Sequence, residues 1–335
     1  MTWITWRQFR TQTWITLGCL AAVAIVLAIS GHDLADLWTS SGAAACHSHC
    51  GTATNSFLTR VGRSFNHKIF NLSTAVLYVV PGLIGIFWGA PLIARELEAG
   101  THRLAFNQSV TRTRWLVAKL TIVGGAAAVT VGLLSWAVSA WAHHIDRANA
   151  NRIGPMLFGA RGIVPIGYVL FAFALGVTLG MLIRRTVPAM AATLTVYVAA
   201  VVSMPLWIRA HLVPTRHLMI ALDVSKLRGI GVSTGDGRMQ VEGGATPANS
   251  WVLTNTTITP TGHVFTGPAN LQLCGPDVGT HACENWVGSL GLRQNIIYQP
   301  GSHFWSLQWA ETGTFVVASG LLIGFCFWWI RRRLV

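Results

Sequence analysis

Six stretches of this sequence are each apolar for about 20 residues, and a chain built this way has few choices of fold. They run from Trp14 to Ser30, Ala75 to Ala94, Leu116 to Trp141, Ile163 to Ile183, Val187 to Trp207 and Thr312 to Ile330. At about 1.5 Å per residue, a helix of that length crosses about 30 Å of hydrocarbon. Lipid offers the backbone no hydrogen bonds, so each run is expected to satisfy its own as a helix. Only 10% of the residues are charged and 52% are hydrophobic, whereas a soluble domain carries roughly a quarter charged residues. The 335 residues therefore predict an all-α membrane protein, a single bundle of six transmembrane helices, rather than two soluble domains.

Arg7 and Arg10 precede the first run and Ala43, Ala44 and Ala45 follow it, the order of parts in a secretory signal. The run is long for that role and three tryptophans crowd its basic flank, so a span is expected instead. The formal charge of +13 would suggest nucleic acid in a soluble protein. Here the arginines stand beside span ends and read as interfacial and topological charges, with no nucleic-acid partner. Arg7, Arg10, Arg184, Arg185, Arg331, Arg332 and Arg333 put both termini on the cytoplasmic side of a cell membrane; Arg147, Arg152 and Arg161 then fall outside, against the rule.

Cys19 and Cys326 lie within runs, while Cys46, Cys50, Cys274 and Cys283 fall in the segments expected outside, where disulfides form. Neighbour pairing, Cys46 with Cys50 and Cys274 with Cys283, is expected over the other two connectivities. The thiols and imidazoles of Cys46-His47-Ser48-His49-Cys50 could hold zinc or copper, but the spacing is not that of a structural zinc site, and no metal is expected. Phe57, Val61, Phe65 and Ile69 recur every fourth residue and predict an outer amphipathic helix over residues 56–72, lying on the leaflet or packed on the protein itself. Residues 208–308 are hydrophilic and rich in Gly, Thr, Pro and Asn. Strand-like runs at Ser250 to Thr259 and His263 to Thr266 predict a small β-containing extracytoplasmic domain there.

No phosphate-binding G-x-x-x-x-G-K-[ST] occurs, nor H-E-x-x-H, nor G-x-S-x-G. The chain is therefore not expected to be an enzyme, and it carries no catalytic residues and no cofactor of its own. His143, His144 and Asp146 cluster at a span end and read as a polar cap rather than a metal or proton site. Ionisable residues within the runs are nearly absent, with Glu311 at a span mouth only, which disfavours an ion-coupled carrier. Gly82, Gly85 and Gly89, Gly176 and Gly180, and Gly320 and Gly324 stand at helix-packing spacing. Pro81, Pro91 and Pro205 can kink the helices that hold them.

The connection from Ala94 to Lys119 carries most information: acidic residues leave one run, Gly100 interrupts, and a basic cluster enters the next. With Glu98, Gly100, Thr101, Leu104, Ser109, Arg112, Arg114 and Lys119 it resembles the permease subunits of type-2 ABC exporters. The run from Tyr298 to Gly313, the close in Phe325-Cys-Phe-Trp-Trp-Ile-Arg-Arg-Arg333 and the start in Thr5-Trp-Arg-Gln-Phe-Arg10 are similar to permeases of actinobacterial exporters.

The resemblance implies a connecting helix over residues 1–13, a coupling loop over 94–115 within a membrane body of 14–207, and a sixth span with a basic tail over 309–335. It places ATPase coupling on Glu96, Glu98, Gly100, Thr101, Arg103, Arg112 and Arg114. It also implies a separate ABC ATPase in two copies that carries ATP and Mg, and a second permease, identical or related. Trp3, Trp6 and Phe9 at helical spacing among basic residues agree with an interfacial first segment. The rival reading is a membrane-anchored ligand-binding sensor or immunity protein without transport.

Overall fold

The computed structural model describes residues 2–46, 50–100, 111–149, 151–232, 238–275 and 280–332; the side chains of 2–13, 112 and 280 are outside that description. Two units are present, a helical one (Met1–Leu212 with Trp305–Val335) and a β-containing one (Val213–Phe304).

Among the described residues six helices are long and apolar enough to cross a membrane: Trp14–Ser40, Phe65–Glu98, Thr113–Trp141, Val164–Ile183, Thr186–Leu212 and Gly301–Arg332. The protein is an all-α membrane protein with a small β-containing part. The first span belongs to α1 (Thr2–Ser40), which runs unbroken through residue 13, so no turn separates the expected connecting segment from the span.

The expected single helix over 56–72 is two helices, α2 (Gly51–Arg63) and α3 (Phe65–Ile84). Ser64 lies in extended backbone between them (φ −91°, ψ 166°) and donates its hydroxyl to the Val61 carbonyl. The break turns Phe65 out of the apolar stripe, while Ile69 beyond it stays in the same cluster as Phe57 and Val61. Phe57 and Val61 are buried with Leu34, Trp38 and Ile145, while Phe65 is 70% exposed. Trp38 meets Phe57 edge-on at 5.0 Å between centroids, so α2 packs on the protein's own helices.

After α3 the second span passes through a π-helical turn, Gly85–Gly89, into α4 (Ala90–Glu98). Pro91 cannot donate to the preceding turn, and the wider turn sits directly before it. Pro205 stands inside a second π turn, Met204–Ile208, between α9 (Thr186–Ser203) and α10 (Arg209–Leu212). The remaining helices are α5 (Arg112–Trp141), α6 (His143–Asn149), α7 (Pro155–Phe158), α8 (Val164–Ile183) and α13 (Phe304–Arg332).

The fourth span, α8, is the centre of the helical unit: 72% of its most apolar window is buried, against 11% for the first span and 22% for the sixth. Glycine makes that centre possible. A Cβ on Gly85 would lie 2.6 Å from the Ala172 carbonyl oxygen, and one on Gly180 2.5 Å from that of Ala90, so the second and fourth spans touch backbone to backbone. Gly320 and Gly324 share the spacing but have nothing within 4 Å.

In the β-containing unit, β1 (Arg216–Ala221), β5 (Arg293–Pro300) and β4 (Ser250–Ile258) form an antiparallel sheet in the order β1-β5-β4, and β2 (Leu227–Val232) pairs with β3 (Met239–Gly243). Of the two expected strand runs, the first is β4. The second makes only one isolated bridge, Ile258 with Val264. Met239, Val241, Val287 and Leu292 form the core with Cys283; burying each such side chain stabilises by about 1.5–3 kcal/mol. Cys274, at the end of α11 (Leu271–Cys274), is bonded to Cys283 in α12 (Thr280–Ser289), with Cα atoms 4.7 Å apart. In the helical unit Cys46 is bonded to Cys50, with Cα atoms 5.7 Å apart.

Candidate coupling surface and buried ionic cluster

The chain's polar chemistry gathers at the two ends of the helical unit. At one end α4 stops because Gly100 takes a left-handed conformation (φ +68°), with the amides of Ala99 and Gly100 returning to the carbonyls of Arg95 and Leu97. The next helix starts at Thr111, whose hydroxyl accepts from the Arg114 amide at 3.4 Å. Between these caps, Thr101 and Arg103 lie outside the described residues, as does the side chain of Arg112.

The two acidic residues are engaged within the chain. Glu96 pairs with Lys119, whose ammonium also donates to the Leu92 carbonyl at 3.3 Å and sits 4.5 Å above the Trp115 ring. Glu98 accepts from the Thr186 amide at 3.0 Å and from the Thr186 hydroxyl at 2.7 Å, which sets a carboxylate at the N-terminus of α9, where the helix dipole favours it. The connection between the second and third spans is thereby tied to the turn between the fourth and fifth. Arg95, Arg114, Arg184 and Arg185 remain exposed around it, and Arg184 closes α8 in the left-handed region (φ +58°).

At the other end stands a cluster that the sequence did not announce. Arg209 and Glu311, both 0% exposed, meet through two bonds of 2.6 and 3.0 Å. Arg209 also donates to the Pro155 carbonyl at 2.6 Å and lies 4.6 Å over the Phe158 ring. The Tyr168 hydroxyl donates to Glu311 at 2.6 Å. Four elements, α7, α8, α10 and α13, therefore converge on one ion pair. Glu311, near the start of the sixth span, is buried at the centre of this cluster, and Lys119 and Arg209 near the ends of their helices are buried as well.

Gln308, one turn before Glu311, is also fully buried. Its oxygen accepts from the amides of Ile163 and Val164 at 3.0 and 3.2 Å, and its nitrogen donates to the carbonyls of Phe158 and Arg161 at 3.2 and 3.1 Å. Arg161, 2% exposed, donates to Asp146 at 2.9 Å. This accounts for one arginine that broke the charge rule, because it is a paired core residue rather than a topological one. Asp146 is thus taken from the expected His143–His144 grouping. His144 tilts against Trp38 at 5.2 Å, and burial pushes its imidazole below the ordinary histidine range. Among the described residues no group of three or more His, Cys, Asp or Glu could hold a metal ion.

Nothing in either cluster forms a nucleophile, base and metal constellation. One end is a tied loop ringed by exposed arginines, the other a locked helix junction. A family model described as ABC-2 membrane transporter related matches residues 17–209, which takes in the first five spans and the tied loop. No curated protein and no solved structure matches the chain.

Proposed function

Because this chain belongs to the ABC-2 membrane transporter related family, and is thereby a multi-pass permease subunit of an ABC transporter, we propose that it works as the membrane half of an exporter of the actinobacterial type. Its cargo on this reading is an amphipathic, drug-like, peptide or lipid-like compound, moved outward. ATP and Mg are bound by a separate ABC ATPase present in two copies, and a second permease, identical or related, completes the membrane part. Both termini and the Gly100 loop face the cytoplasm, where residues 94–115 meet the ATPase.

The observation that carries the coupling role is the tie between Glu98 and Thr186. A loop that must transmit a push needs fixed ends, and Glu98 with Glu96 fixes one of them on two neighbouring spans. The acidic side chains on this reading hold the loop, and the exposed Arg114 is left for the partner. Gly100→Pro combined with Glu98→Lys removes both a left-handed turn that proline cannot adopt and the N-terminal anion. Reconstituted with its ATPase, the variant is expected to keep its abundance while losing substrate-stimulated ATP hydrolysis and export. Full transport at normal abundance would overturn the coupling role. A purified chain that retains no nucleotide-binding subunit under mild extraction would favour a ligand-binding sensor.

A further inference from the structure

A groove of about 550 Å³ lies beside α1, where α3 begins, bordered by Leu37 and Ile69 of the cluster that holds Leu34 and Trp38. Its lower wall is apolar, with Val26, Ile29 and Phe65, which are 48%, 67% and 70% exposed. Its upper wall carries Asp33 and Asp36. In a chain of formal charge +13 these are, among the described residues, the only charged side chains that line it. Asp36 shares an exposed contact of 3.3 Å with His32, and Asp33 has no partner among the described residues.

A second observation is independent of the acidic pair. The side chain of Asn66, a residue only 5% exposed, lines the same groove and makes no hydrogen bond among the described residues. Its amide atoms are not closed off from solvent, so a polar ligand in the groove can meet them. At about 1.5 Å per residue, Val26 lies about 10 Å along the helix from Asp33, or about 15 Å from Asp36. That is the reach of a medium alkyl chain below a head group.

We propose that this groove binds a cationic amphiphile, its positive head beside Asp33 and Asp36, its polar shoulder on Asn66 and its apolar tail along Val26, Ile29 and Phe65. The assignment rests on the permease reading only where the ligand is called a substrate; as a binding site it stands without it.

The test uses the whole chain in phosphatidylcholine nanodiscs, without ATPase or nucleotide. A spin-labelled quaternary ammonium amphiphile is displaced by dodecyltrimethylammonium, with dodecyl sulfate and dodecanol as comparisons. Saturable displacement by the cation in preference to the sulfate is expected. Asp33→Asn with Asp36→Asn, both at exposed positions and harmless to the core, is expected to weaken it about five- to tenfold, the yield of two modest charge contacts. Asn66→Leu is expected to weaken the cation and dodecanol together, and Glu284→Gln in the β-containing unit to change nothing. Equal binding by the Asp33/Asp36 variant, or preference for the sulfate, overturns the assignment, as does full-yield crosslinking of Phe65→Cys between two copies, which would make a second chain the occupant. Failure of the ATP-coupling test leaves these binding results in force, and equal binding by the variant leaves coupling in force.

Discussion

The two ends of the helical unit use charge in opposite ways. Around Glu98 the contact is an edge feature, since Glu98 is exposed, and even at the buried Lys119 the partner Glu96 keeps part of its side chain in solvent. Around Arg209 and Glu311 no solvent reaches the pair, and the carboxylate and guanidinium are met by Tyr168, Pro155 and Phe158 as well as by each other. A buried pair repays its desolvation only with complete partners. The Glu311 pair therefore tolerates no loss of a member, whereas the exposed tie from Glu98 to Thr186 can be lost and the chain still fold.

The sharpest way to break that contrast is Glu311→Leu, which strands a buried guanidinium and is expected to cost about 3–5 kcal/mol. The expected readout is loss of the monodisperse peak after extraction. Adding Arg209→Met should restore most of it, because an apolar pair of similar volume is often neutral or better. A double variant no better than the single one would show that the bonds to Pro155 and Tyr168 matter more than the pair.

Comparable in size is Gln308→Leu, which strands the Ile163 and Val164 amides, while the Phe158 carbonyl keeps its bond from the Arg161 amide. At about 1–3 kcal/mol for a buried unsatisfied group, a clear fall in the thermal midpoint is expected, with the cluster at Glu311 otherwise intact. The smallest effect belongs to the other end. Glu98→Gln should leave the midpoint unmoved and speed hydrogen exchange at the Thr186 amide. A midpoint fall equal to that of Gln308→Leu would erase the difference between the two ends.

The spans were legible in the sequence because a membrane demands a long apolar run in one local stretch. The Gly100 stop and the Thr111 start of the next helix were half legible, since Gly100 could be read as an interruption while the two ties holding the loop could not. Glu98 finds Thr186 88 residues away, and nothing local in either marks the other. Arg209 and Glu311 are 102 residues apart; each stands at the end of an apolar run, where a lone charge reads as an interfacial one. The apolar stripe over 56–72 continued through Ser64 without a visible flaw, so the break between α2 and α3 was hidden by its own periodicity. Strands β1 and β5 escaped notice because their inward and outward residues alternate only weakly in polarity, and their register is set by pairing with each other across more than 70 residues.

Gln308 has a mechanical consequence. One amide grips the backbone on both sides of the bend between α7 and α8, so the start of the sixth span cannot slide past the start of the fourth without releasing four hydrogen bonds together. Axial shear at this junction is closed to the bundle. The first turns of these two spans are thereby held as a single unit, pinned by a side chain rather than joined by a hinge.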